Sequence, residues 1–153
     1  MLRTSVAEAM TLKHGEGDWS AIPNAAMVLR QLRASRVLLA RRAAQILGTV
    51  RLTTALQTLL PSNNFTPVKH ALYIFGLAVA PEVQGQGIGR ALIDAAKDAA
   101  RSSRADALWL DAYDHAAGAG PFYEKCGFKR VGTTSHNTVS LLYYEWPTAP
   151  KPV

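Results

Sequence analysis

The chain has a single cysteine, Cys126, so it can close no disulfide within itself, and the cysteine clusters that hold structural zinc are excluded with it. It has no apolar run near the ~18–20 residues that a membrane-crossing helix requires. The longest β-forming apolar stretch, Ala71 to Ala80, falls well short. Met1 to Met10 holds one arginine and no apolar segment of the kind a secretory leader needs, so a cytoplasmic protein is expected. No glycine is followed by the lysine of a Gly-x-x-x-x-Gly-Lys-Ser/Thr loop, which excludes that nucleotide-binding class. Repeats and low-complexity segments are also missing.

Acidic residues are in short supply. Eleven Asp and Glu stand against 17 Lys and Arg, for a net charge of +6, and such a balance favours an anionic partner. The basic residues are scattered. The densest groups are Arg30, Arg33, Arg36 and Arg41-Arg42, without a basic tail or interleaved aromatics, so nucleic acid is not expected and a phosphorylated small molecule is. Hydrophobic residues make up 48% of the chain, enough for one packed core, and 153 residues is about one domain.

Along the chain, Ile22, Ala25, Ala26, Leu29 and Leu32 have helical spacing and predict a helix over 20–34. Residues 37–40 and 46–53 read as strands joined by a turn near Arg42 to Gln45. Thr58 to His70 is polar, carries Pro61 and Pro67, and reads as a long loop of the kind that often binds something. A strand over 71–80 ends at Pro81, which cannot donate to a ladder. A helix follows from about Gly87 to Arg101, with Ile88, Ala91, Leu92, Ala95 and Ala99 on one face. Next come a strand at 107–113, a Gly/Ala-rich turn, a short helix near Pro121 to Lys125 closed by Gly127, and strands at about 128–132 and 138–146. Residues 1–19 suggest no element, and Pro147 to Val153 reads as a flexible tail. Strands and helices are mixed, giving α/β (α+β) with one central sheet in a single domain, residues 1–153.

Gly85, Gly87 and Gly89 lie between the buried strand and the amphipathic helix. A helix N-terminus presents unpaired N–H groups and the positive end of its dipole, and glycines let an anion approach them. A dinucleotide fingerprint fails in both registers, because residue 88 is Ile and residue 90 is Arg where the third glycine should fall. A tight strand-to-helix turn with no ligand is the alternative.

The segment Leu77-Ala-Val79, Pro81, Gln84-Gly-Gln-Gly87-Ile-Gly89, followed by Phe122-Tyr-Glu-Lys-Cys-Gly-Phe128, resembles two motifs of the GNAT superfamily of N-acetyltransferases, in that family's order. The resemblance spans about residues 20–146. It implies a mixed, mostly antiparallel central sheet, flanked by helices, whose strands four and five (here 71–80 and 107–113) splay apart. It implies acetyl-CoA as cosubstrate and no metal. The pantetheine arm would lie along Leu77, Ala78 and Val79, with the pyrophosphate on the turn Gln84, Gly85, Gln86, Gly87, Ile88, Gly89 and Arg90. The acetyl group would pass directly, in a ternary complex, to a primary amine of a small molecule or peptide recognised by 20–35 and the 54–70 loop. No membrane partner is implied, and a homodimer is the usual expectation for soluble oligomers.

In the same family a tyrosine at the position of Tyr123 is the general acid, suited to a thiolate leaving group. Relatives often use a carboxylate or histidine on the fourth strand as the base, where this chain has Tyr73 and Phe75 and no acid, and carry an asparagine before the tyrosine motif, where it has none. Candidates for the base are therefore His70, Asp111, Asp114 and His115, or an ordered water. The missing strand-four base keeps open a second reading, an acetyl-CoA-binding sensor or interaction module without catalysis. Cys126, beside His115 as a base, is the pattern of a nucleophile, but its place beside Gly127 suits packing better. Tyr143, Tyr144 and Trp146 on the last strand are expected to pack the sheet.

Overall fold

The computed structural model describes residues 2–17, 20–22, 24–54, 64–136 and 139–149. The chain opens on α1 (Leu2–His14), where the sequence suggested no element. The reason is legible in its burial. Only Ala7 is buried in this helix and Leu12 is 90% exposed, so no apolar stripe marks it. Helix α2 (Ala25–Arg33) begins later than expected because the Asn24 side chain caps it, accepting from the Ala26 N–H at 2.8 Å. Met27, Leu29 and Leu32 of α2 are exposed.

β1 (Arg36–Arg42) and β2 (Gln45–Thr53) form an antiparallel hairpin. Arg41 and Arg42, read as part of the turn, are instead the exposed last residues of β1, paired with Ile46 and Gln45. β3 (Ala71–Val79) pairs antiparallel with β2 and ends in a 3-10 turn, Pro81–Val83. Then come α3 (Ile88–Ser102), β4 (Ala107–Tyr113), α4 (Gly120–Lys125), β5 (Lys129–His136) and β6 (Val139–Pro147). The strand expected over 128–132 is thus longer and contains His136, while Asn137 lies outside the described residues. Pro147 is not tail but the last residue of β6, opposite Ala107. Thr148 continues the anchorage, donating to the Asp106 and Ala105 carbonyls at 3.0 and 2.6 Å.

The sheet runs β1-β2-β3-β4-β6-β5. Every pairing is antiparallel except β3–β4, which is parallel and holds only for Ala71, Leu72 and Tyr73 against Ala107, Leu108 and Trp109. Beyond Tyr73 the two strands diverge. These are the strands expected to splay, third and fourth here because helices, not a strand, precede β1.

The two faces of the sheet are built differently. Val50, Leu52, Ile74, Leu108 and Leu110 pack with Leu92, Ile93 and Ala96 of α3 and with Tyr123, Cys126 and Phe128. Ala71, Tyr73, Ala107, Trp109 and Tyr143 point the other way and form a second cluster around Phe65. Phe65 belongs to the stretch expected to be a polar loop; residues 58–63 of that stretch lie outside the described residues. Its ring stacks on Trp109 at 4.4 Å and meets Tyr143 edge-on at 5.3 Å. Thr66 follows, donating from its N–H and Oγ1 to the Glu145 carboxylate at 2.9 and 2.7 Å. We expect Phe65→Ala to cost about 3–5 kcal/mol, as for other buried aromatic truncations, read as a lower urea midpoint with an unchanged slope.

Candidate functional site

At the open end of the β3–β4 gap lies the glycine turn. Gly85 and Gly87 have φ of 78° and 84°, the left-handed region, and a Cβ at either position would meet nothing within 4 Å. These two glycines are therefore required by the backbone rather than by crowding, and the space before them is open. Gly87 is the N-cap of α3 and supplies no side chain to its first-turn amides. Gly89 has another role: a Cβ there would lie 3.3 Å from Phe122 Cζ, so its smallness lets α4 approach α3. The Gln84 amide donates to the Val79 carbonyl at 3.1 Å, tying the turn to the end of β3. Ile88 packs on the core below, and Gln86 is exposed. Arg90 reaches sideways to the Lys125 carbonyl at 3.4 Å, and Lys97 donates to the Cys126 carbonyl. Two cations of α3 thus satisfy the C-terminal end of α4 and fix the helix that carries Tyr123.

Tyr123 is buried at 7% exposure, with Phe122, Phe128 and Tyr144 at 5.3, 6.0 and 6.3 Å between ring centroids. Burial first, then the Asp111 carboxylate and Cys126, push its phenol well above the usual tyrosine range. Cys126 is buried in the same cluster and its thiol is pushed up by burial, which agrees with packing and opposes a thiolate nucleophile. Tyr143 and Tyr144, 1% exposed each, pack the sheet as expected, and Tyr144 also donates to Glu124 at 3.3 Å.

The structure separates the four candidate bases. His70 is exposed, and its N–H donates to Asp106 at 2.8 Å at the closed end of the gap, away from the glycine turn. Asp114 is exposed beyond β4. His115 is spent on its own turn, its Nδ1 accepting from the Ala117 N–H at 2.9 Å. Asp111 differs. It follows Trp109 on the Phe65 face of β4, where the strand has left β3, and its register partner is Tyr143. Burial raises its carboxyl above the ordinary carboxylate range, opposed in part by the facing Tyr73 hydroxyl. That hydroxyl has no partner within hydrogen-bond geometry and is itself pushed up by burial and by Asp111. Tyr123 thus packs with the α3 face of the sheet, and Asp111 lies on the opposite face.

The sequence reading passed over Arg51 and Gln31. Arg51 projects onto the Phe65 face of β2, between the inward-facing Val50 and Leu52, and bonds Gln31 of α2. A charge flanked by strand-forming apolar residues was the available sign.

The fold is one that solved acetyltransferases share. An aminoglycoside 6'-N-acetyltransferase complexed with coenzyme A superposes with a TM-score of 0.67 at 15% identity, over 99% of this chain and 93% of that one. A GNAT family acetyltransferase from Elizabethkingia anophelis with acetyl-CoA bound gives 0.62 at 19% identity, over 84% and 86%. Nourseothricin acetyltransferase gives 0.59 at 26% identity, over 76% of this chain and 66% of that one. A search of curated protein sequences gives no significant match. The chain belongs to the acetyltransferase (GNAT) family, whose model matches residues 6–128. No helix among the described residues is long and apolar enough to cross a membrane.

Proposed function

We propose that this protein is an N-acetyltransferase that moves the acetyl group of acetyl-CoA to a primary amine of a small molecule or peptide, with Tyr123 as general acid and Asp111 as general base. The observation that carries the reading is the glycine turn, with Gly85 and Gly87 in the left-handed region before the uncapped amides of α3, set beside the gap where β3 and β4 part. The residues present suit the cosubstrate. The open turn from Gln84 to Arg90, with uncapped α3 amides, fits a pyrophosphate. Leu77, Ala78 and Val79 run along the gap where β3 has no partner on its β4 side, which fits the pantetheine amides.

Acetyl-CoA supplies an activated acyl thioester. Asp111 takes the proton of the acceptor's ammonium, freeing the nitrogen lone pair to form the new C–N bond. Tyr123 gives its proton to the sulfur as the C–S bond breaks, and its oxygen is reprotonated by the extra proton that the new amide nitrogen sheds, while Asp111 passes its own proton to solvent. No acyl-enzyme is needed. A raised carboxyl is a better base than an ordinary one.

Incubation with acetyl-CoA and a panel of amines, read as free thiol, tests the proposal. Thiol release that depends on an amine supports it; cosubstrate binding without release from any amine replaces it with the non-catalytic reading. Gly87→Asp is expected to weaken coenzyme A binding by about 10-fold or more, since it adds a like charge and left-handed strain of about 1–2 kcal/mol. Unaltered affinity by isothermal titration removes the pyrophosphate assignment.

A further inference from the structure

Arg51 is 4% exposed, yet among the described residues no carboxylate pairs with it, and the one ion pair there is Arg101–Asp98, on the surface. Its Nη1 donates to Gln31 Oε1 at 2.6 Å, and Arg3 Nη1 of α1 reaches the same oxygen at 3.5 Å. Two guanidinium groups therefore converge on one neutral amide oxygen. The Arg51 guanidinium lies 3.9 Å over the Phe75 ring, and its Nε is buried with no acceptor among the described residues. Burial, and then the charge of Arg3, push its pKa down to about 10. Gly76, at φ 64° in the β3 bulge, makes the room: a Cβ there would stand 2.8 Å from Arg51 Nε.

A buried cation without a counter-ion loses more hydration than a contact with one ring can restore. Buried charges are ordinarily paired. The missing partner is an anion, and the position of the guanidinium says which. Val50 and Leu52 face α3, so Arg51 faces the opposite side, the side of Asp111, Tyr73 and Phe75. Its register partner is Phe75, two residues before Leu77, or about 7 Å along the strand. An anion held there sits within a small molecule's length of the gap.

We propose that the acceptor is a small amine that also carries a carboxylate, and that Arg51, with Arg3 beside it, receives that carboxylate on the sheet face of Asp111. The inference rests on the N-acetyltransferase reading and names its substrate class. It sets this site apart from one built for a polycationic acceptor, which two guanidinium groups would repel.

Matched pairs of free amino acids and their amides, glycine to phenylalanine, serve as probes, titrated calorimetrically into the coenzyme A complex. At least one acid is expected to bind about 10–100-fold tighter than its amide, the range for a charge-assisted, bidentate contact. Arg51→Met should bring acid and amide to equal affinity, and Arg3→Gln should narrow the gap several-fold, both with coenzyme A affinity retained. Should Arg51→Met fail to fold, Arg51→Lys, which keeps the charge but not the fork, should lose most of the preference. Equal binding of every acid and its amide, or a preference that survives both Arg51 variants, overturns the proposal. So does selective binding of acidic peptides alone. Thiol release separates the two claims. Carboxylate preference with no release from any amine leaves this site standing and removes the N-acetyltransferase reading; release from amines with no acid advantage does the reverse.

Discussion

Tyr123→Phe is expected to lower kcat roughly 10–1,000-fold, the scale of lost general acid catalysis, with coenzyme A affinity nearly unchanged. The substitution removes one oxygen and keeps the ring that packs against Phe122, Phe128 and Tyr144. The core it belongs to, with Ile93 and Ala96 of α3 below, should therefore stay intact. What goes is the proton donor to a sulfur whose thiol has a pKa of about 8.5. The comparison is made by single-turnover acetyl transfer at saturating acceptor and by thermal melting. A variant with unchanged turnover removes the phenol from the mechanism. A melting temperature that falls in step with activity assigns Tyr123 to packing instead.

Asp111→Asn is expected to reduce kcat/KM by about 100–10,000-fold when the acceptor is protonated in solution. The pH profile carries the stronger test. In the wild type the acidic limb should lie above the ordinary carboxylate range, because burial raises the Asp111 carboxyl. The variant should lack that limb, and a more basic solution that deprotonates the amine should recover part of its rate. Stability moves in the opposite direction. The folded carboxyl holds its proton more tightly than the unfolded one, so from the unfolded value near ~4 up to the raised folded value the native state binds more protons. Over that window a rise in pH lowers stability, and the loss stays in force above it. Asparagine has no such titration. Asp111→Asn should accordingly melt no lower than the wild type at pH 7–8, and higher if the carboxylate is as poorly solvated as its position suggests. Loss of both activity and stability assigns Asp111 a structural role. A wild-type acidic limb at the unperturbed carboxylate value removes it as the base.

Much of the scaffold was readable from local pattern. The β1–β2 hairpin, the strand stopped by Pro81, the amphipathic α3 and the Tyr123 helix closed by Gly127 all carry short-range marks, and each stands within a few residues of where it was expected. The buried face of α3 is nevertheless turned from the expected one: Leu92 and Ala99 are inside with Ile93, Ala96 and Ala100, while Ala91 and Ala95 are exposed. Helix α1 carries no such mark, because its one buried residue defines no stripe. Phe65 was misplaced for a related reason. Polar and proline-bearing neighbours hide an aromatic whose partners, Trp109 and Tyr143, lie far along the chain.

By itself, then, the sequence determined the order of the elements after α1 and the open glycine turn, because each depends on residues adjacent in the chain. Which acidic or histidine side chain faces the gap was decided only by tertiary structure. His70, Asp111, Asp114 and His115 are alike as residue types, and they are separated by strand divergence, by alternation along β4 and by desolvation. The unpaired Arg51 belongs to that second kind. A guanidinium between Val50 and Leu52 becomes a buried charge only when α1, α2 and the β3 bulge at Gly76 close around it.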